Sequence, residues 1–213
     1  MKTLLIIDDD KNNWYEIFKD TMGLDNEDLK IEQSQFDRIK LTAYSDSGVV
    51  CNVFPARNPI PETSMEKKRL IKPDFLLVRS VIKGVSASND YKNLLYGFKF
   101  ANISSVNSLD SIYQCMERPW VYSELLKLNK KLGDEAFPLI KQYYYSHHTE
   151  MIITPQYPLV VKVGHAHAGY GKMLFHKHNE FNDFYTIVAL HSDYVTTEPF
   201  IENDYDLRIQ KIG

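Results

Sequence analysis

PLVVKVGHAHAGYGK, residues 158 to 172, is the stretch on which the reading of this chain turns. The aliphatic run from Leu159 to Val163 predicts a strand that delivers Lys162. The chain then turns through Gly164, Gly169 and Gly171 to Lys172. Glycines let a backbone approach a phosphate with no Cβ in the way, and the exposed N–H groups of such loops cradle oxyanions. Two flanking ammonium groups suit a polyphosphate. The spacing is not that of a Walker loop, and no Ser or Thr follows Lys172. A dinucleotide fingerprint is absent too. A plain glycine-rich hairpin reads the same residues without a ligand.

Three features around the loop favour the ligand. Arg118, in MERPW, is a cation just ahead of a predicted helix. TTEPFI, 196 to 201, is a strand broken by Pro199. A proline removes one ladder hydrogen bond and frees nearby backbone groups, such as an adenine edge requires. Asp206 and Arg208, just before and within a last predicted strand, Leu207 to Ile212, alternate on one face where a structural strand would be apolar.

Working outward, Thr3 to Ile7 predicts a buried strand, followed by a helix through Trp14, Ile17 and Phe18. Asp10 is expected to cap that helix and Gly23 to end it. Strands are expected at Leu29 to Glu32, Ile39 to Tyr44, Val49 to Phe54 and Phe75 to Val78. The proline- and charge-rich NPIPETSMEKKR, 58 to 69, reads as an exposed loop. Leu94, Leu95, Phe98 and Ala101 give Tyr91 to Ala101 helical spacing. This alternation argues for an open α/β sheet. Beyond a boundary near 104 to 107, helices are expected over Ser108 to Met116 and Trp120 to Leu132, with Pro119 suited to a first turn. Further strands are expected at Pro138 to Tyr144, Met173 to Phe175 and Tyr194 to Ile201, with a helix over Glu180 to Leu190.

Composition narrows the function. With 213 residues, 44% hydrophobic and 25% charged, the chain can bury a real core and is neither disordered nor fibrous. A net charge of -3 argues against a general nucleic-acid binder. No apolar run approaches the ~18 residues of a transmembrane helix. MKTLLIIDDD resembles a signal peptide only over Leu4 to Ile7 before three aspartates close it. Cys51 and Cys115 lack metal-ligand spacing and suit reduced thiols inside a cell.

Two other constellations are weighed and set aside. Asp8-Asp9-Asp10 at a strand end, with KPDFLLVR at 72 to 79, imitates a receiver domain's Mg²⁺ site. Arg79 stands where a phosphoacceptor aspartate is needed, so an acidic turn is the better reading. His165 and His167, like His176 and His178, lie two apart and could chelate zinc from a strand face. No cysteine supports them.

The order of these features resembles ATP-grasp, and the wording resembles the central domain of the synapsin family. SVNSLDSIYQ (105 to 114), NKKLGDEAFPLI (129 to 140), VVKVGHAHAGYGK (160 to 172) and TTEPFIENDYDLRIQKIG (196 to 213) carry the resemblance, with KPDFLLVR. It implies a Rossmann-like pre-ATP-grasp half over 1 to 106 and the front of an ATP-grasp half over 107 to 213. It places Arg118 at a lysine position that contacts nucleotide, Lys162 at the second such lysine, and Lys172 at the lysine closing the loop. His167, Ala168, Gly169, Tyr170 and Gly171 fall in the phosphate loop. Ala168 and Tyr170 stand where relatives carry Ser and Met. A lost hydroxyl donor costs about 0.5–1.5 kcal/mol if it reached the ligand. Glu198, Pro199, Phe200 and Ile201 match the adenine-facing hinge, and Asp206 and Arg208 the polar pair near ribose and phosphates.

The family's metal carboxylates match nothing before Gly213, so a divalent cation, Ca²⁺ or Mg²⁺, is expected only in a longer parent. ATP is then expected as a ligand without turnover. The resemblance further implies a homo-oligomeric, cytoplasmic phosphoprotein peripheral on synaptic vesicles, with actin as a partner and a role in vesicle clustering and transmitter release. The competing expectations are an ATP-grasp ligase forming an acyl phosphate, and a nucleotide-independent oligomerisation module.

Overall fold

A computed structural model describes residues 1–21, 28–54, 68–84, 86–151 and 156–210. The chain divides into two compact units, Met1–Met116 and Glu117–Gly213. Gly23 and most of the 58 to 69 loop lie outside the described residues.

In the first unit the elements run β1 (Lys2–Ile7), α1 (Trp14–Phe18), β2 (Leu29–Ser34), β3 (Ile39–Tyr44), β4 (Gly48–Val53), β5 (Arg69–Ile71), β6 (Phe75–Val78), α2 (Lys92–Phe100), β7 (Ser104–Val106) and α3 (Leu109–Gln114). Four strands form a parallel sheet in the order β2-β1-β6-β7. Leu4, Leu5, Ile6 and Ile7 are all buried, as befits a strand covered on both faces. The expected open α/β sheet is therefore present.

One part of it is built differently. β3, β4 and β5 form a separate antiparallel sheet, Ile39 facing Val53 and Cys51 facing Ile71. Only Ser45, Asp46 and Ser47 separate β3 from β4, with Gly48 at φ 81°. A parallel crossover needs a dozen residues or more, so so short a connection makes a hairpin. Along β4, Val49, Cys51 and Val53 point inward and join Leu5, Leu76, Leu95 and Phe98 in one core. Burial pushes the Cys51 thiol up to about 12. α2 crosses β3, where a Cβ on Gly97 would come within 2.3 Å of Leu41. Glycine there brings helix and sheet into close contact.

The acidic turn after β1 is satisfied locally. Asp8 accepts from the Trp14 indole N–H (2.7 Å), the Asn12 amide (3.1 Å) and the Asp9 backbone N–H (2.9 Å). Asp9 pairs with Lys11, and Asp10 with Arg38 at 2.7 Å. Asp10 is thus not the helix cap. Asn13 takes that role, accepting from the Glu16 N–H, while the Arg38 guanidinium holds the Asp10 carboxylate.

Burial alone would raise the pKa of Asp8, but its three donors, with Arg79 nearby, hold it below the ordinary value of 3.8. A depressed folded pKa stabilises the fold above the unfolded pKa and is lost as pH falls through the folded one. Trp14→Phe removes one donor. It is expected to raise the Asp8 pKa and cost about 1 kcal/mol at pH 7, a difference that shrinks below pH ~4. Carboxyl NMR titration with urea melts at two pH values checks this. An unchanged Asp8 titration removes the indole from the account.

In the second unit the elements are α4 (Arg118–Leu132), β8 (Tyr143–Tyr145), β9 (Leu159–Val163), β10 (Lys172–Phe175), α5 (His178–Val188) and β11 (Val195–Pro199). Pro119 sits in the first turn of α4 and Gly133 closes it. The four strands form an antiparallel sheet in the order β10-β9-β11-β8. Leu159, Val161, Phe175 and Val195 of the sheet pack with Phe181, Phe184 and Val188 of α5.

Two expected strands fall short. Of Pro138 to Tyr144, only the end pairs, as β8, starting at Tyr143. Leu207 to Ile212 forms no strand over its described residues, 207–210, which are exposed. Alternation alone does not make a strand without a neighbour to pair with. β9 and β8 fill both sides of β11, and the described residues 207–210 pair with neither edge strand, β10 or β8.

Candidate functional site

Antiparallel register gathers the polar residues of the second unit on one face of its sheet. Lys162 on β9 stands opposite both Lys172 on β10 and Thr196 on β11. Directly opposite residues share a face, as do residues two apart along a strand, so Glu198 joins them. The other face carries Val161, Val195 and the fully buried Thr197.

At the centre, the Lys162 ammonium donates to Glu198 at 2.5 Å, both side chains being mostly buried. The second carboxylate oxygen of Glu198 accepts from the Gln142 amide at 2.8 Å. Lys172, at the far side of the row, is exposed. Arg118, the first residue of α4, donates to the Ala166 carbonyl at 3.0 Å and to the Thr196 hydroxyl at 3.3 Å. It therefore ties the glycine loop to the sheet. Burial pulls its pKa below the ordinary guanidinium value, partly offset by Tyr194, Glu198 and Glu117. Burial also pushes the Tyr194 phenol upward, and its 2.7 Å bond to Glu117 adds to the rise.

The loop itself turns through four left-handed residues: Gly164 (φ 54°), Ala168 (52°), Gly169 (85°) and Gly171 (67°). Gly171 cannot be replaced cheaply, since a Cβ would lie 3.1 Å from the Val163 carbonyl. Gly169 opens onto free space, and Tyr170 is exposed. The His165 and His167 rings stack at 5.3 Å. In the second pair His178 is engaged elsewhere, lying 3.4 Å from the Tyr157 hydroxyl. Among the described residues no group of three or more His, Cys, Asp and Glu is disposed to hold a metal ion.

Does this arrangement suit a triphosphate? Two lysines border a loop of left-handed residues, and the loop region holds two buried nitrogens without hydrogen-bond partners among the described residues, the donor Arg118 Nε and the ring atom His167 Nδ1. Buried polar groups are rarely left unsatisfied without a reason. The residues present fit the group.

The remaining candidates are less closely gathered. Pro199 still faces Leu159, and the Phe200 N–H donates to the Pro158 carbonyl at 2.9 Å, so pairing runs one residue past the proline. Phe200 and Ile201 are exposed. Asp206 accepts from Asn203 at 2.7 Å, and both it and Arg208 lie in an exposed stretch without secondary structure. Sequence reasoning missed Thr196, Gln142 and the Ala166 carbonyl. Thr196 was readable, because period 2 back from Glu198 puts it on the same face. Gln142 was not, since its partner lies 56 positions away.

Similarity to known proteins completes the picture. Residues 1–105 match the family model described as the synapsin pre-ATP-grasp domain, and residues 107–213 the synapsin ATP binding domain. Synapsin of Drosophila melanogaster is 32% identical over 215 residues, covering 99% of this chain and 20% of that protein. The chain thus spans about a fifth of its relative's length. Among solved structures, a RimK domain ATP-grasp protein of Sphaerobacter thermophilus aligns with a TM-score of 0.56 at 12% identity, over 94% of this chain and 64% of that one. The VanG D-Ala:D-Ser ligase of Enterococcus faecalis aligns with a TM-score of 0.56 at 15% identity, over 94% and 63%. At such identities these two report the fold alone: a pre-ATP-grasp region followed by part of an ATP-grasp region. Both family models and the fly relative agree, and the chain belongs to the synapsin family.

Proposed function

We propose that the second unit binds ATP as a ligand rather than consuming it, with the triphosphate at the glycine loop between Lys162 and Lys172. The observation that carries this reading is the row of Thr196, Lys162 and Lys172 across three strands, beside a loop of four left-handed residues. In the absence of nucleotide, Glu198 neutralises Lys162. An incoming phosphate takes over that ammonium, and Arg118 keeps the loop in position through Ala166. A divalent cation, Ca²⁺ or Mg²⁺, accompanies the nucleotide in the longer parent. Family membership supports the wider role: a homo-oligomeric cytoplasmic protein on the surface of synaptic vesicles, engaging actin and clustering vesicles before release.

Calorimetric titration of a non-hydrolysable ATP analogue, with Ca²⁺, Mg²⁺ or chelator, tests the reading on this chain and on Lys162→Ala. Loss of one charge-assisted contact is expected to weaken binding at least about tenfold. A flat titration on folded protein, or equal affinity in the variant, would overturn it. Phosphate release from ATP in the presence of a carboxylate acceptor would instead favour a ligase.

A further inference from the structure

The first unit holds a polar cavity of about 300 Å³ outside the carboxyl ends of β1 and β2. Its walls include Asp10, Asn12, Ser34, Arg38, Phe54 and Arg69. The charge around it is lopsided. Arg38 and Arg69 line it, and Lys40 and Lys68 set their ammonium groups 5.2 and 5.5 Å from the centre of the Phe54 ring. The carboxylates that answer are Asp10, held by Arg38, and Glu32, shared between Lys30 (2.9 Å) and Arg69 (3.2 Å). Among the described residues this network sets five cations against two carboxylates, in a chain whose net charge is -3.

Of these five cations Arg69 is the one with a buried nitrogen that lacks a hydrogen-bond partner among the described residues. Glu32 lies near its Nε without closing a hydrogen bond, and that nitrogen is buried with no partner. Among the described residues its terminal nitrogens donate to nothing. A guanidinium fork with unused donors, flanked by two ammonium groups on an aromatic wall, is the chemistry that holds a dianionic oxyanion. The volume is at the small end of ligand sites.

We propose that this cavity binds a small phosphate monoester, gripped by Arg69 and Arg38 with Lys40 and Lys68 at its rim. Asp10 is the built-in competitor, occupying Arg38 until the anion arrives. The two groups therefore act in opposite directions: Arg69→Gln removes a grip, whereas Asp10→Asn frees one.

Titration of the ¹⁵N-labelled chain with glycerol phosphate at constant ionic strength tests this, reading the amides of Ser34 and Phe54. Saturable shifts are expected, weakened about tenfold or more in Arg69→Gln and strengthened severalfold in Asp10→Asn. The same spectra report that each variant is folded. Vesicles of phosphatidylcholine with phosphatidate, run alongside, separate the sources of the phosphate. Sedimentation lost in Arg69→Gln assigns it to a lipid headgroup, and response to the soluble ester alone assigns it to a free metabolite. Shifts that follow chloride as well as phosphate, or equal affinity in all three proteins, would overturn the proposal.

Discussion

Phe181→Ala is expected to cost the second unit about 3–5 kcal/mol, a large share of the 5–15 kcal/mol that holds a typical domain. Phe181 is 2% exposed and meets Phe175 edge-on at 5.8 Å and Phe184 at 6.4 Å. Those three rings carry much of the contact between α5 and the sheet, and the sheet in turn aligns Lys162 with Lys172. Alanine leaves a cavity that flanking aromatic rings fill poorly, since they are already packed against one another. Urea unfolding followed through Trp120, in a Trp14→Phe background, reads the change. A loss below about 1 kcal/mol would show that the site collapses around the smaller residue and that α5 is not anchored there.

The second large effect separates the structural role of Lys162 from the ligand-binding role proposed for it. Lys162→Met leaves the Glu198 carboxylate, 16% exposed, with the Gln142 amide as its remaining hydrogen-bond donor among the described residues and Arg118 only as a nearby charge. Breaking a buried pair from one side costs 3–5 kcal/mol, and this partly exposed pair is expected to cost about 2–3. Lys162→Met/Glu198→Met removes both charges and is expected to return within about 1 kcal/mol of the parent, because no uncompensated charge remains. Under the proposed reading both variants are nevertheless expected to lose ATP affinity. Chemical denaturation of the four corners of the cycle measures the coupling. Single and double variants of equal stability, with a coupling under about 0.5 kcal/mol, would mean the ion pair contributes nothing.

How far was this legible beforehand? Strands with a strong local signature were readable, as at Ile39–Tyr44, Phe75–Val78 and Leu159–Val163, where aliphatic and β-branched runs carry the message themselves. Partnering was not. The residues of β3 and β4 read correctly as strands, yet their hairpin left the parallel sheet because of three intervening residues. Over 207–210, the described part of Leu207 to Ile212, the same alternation made no strand, although β10 and β8 each keep an open edge. Asp10 had the chemistry of a helix cap, but Arg38, 28 positions on, held it instead.

The sequence by itself carried the resemblance to the family, through its quoted segments, and the α/β class. The loop's backbone was legible in the same way, from residue type and spacing within a short window: glycines where left-handed backbone is needed, lysines at both ends, an aliphatic run before. Only the tertiary structure decided what each charge does. Register across three strands set Lys162 beside Glu198, a bond over 36 positions, and α4 carried Arg118 to Ala166 over 48. A linear pattern specifies which groups exist and which face of a strand they share. Which of them lie within 3 Å is fixed by strand pairing and packing, which sum contributions from distant parts of the chain.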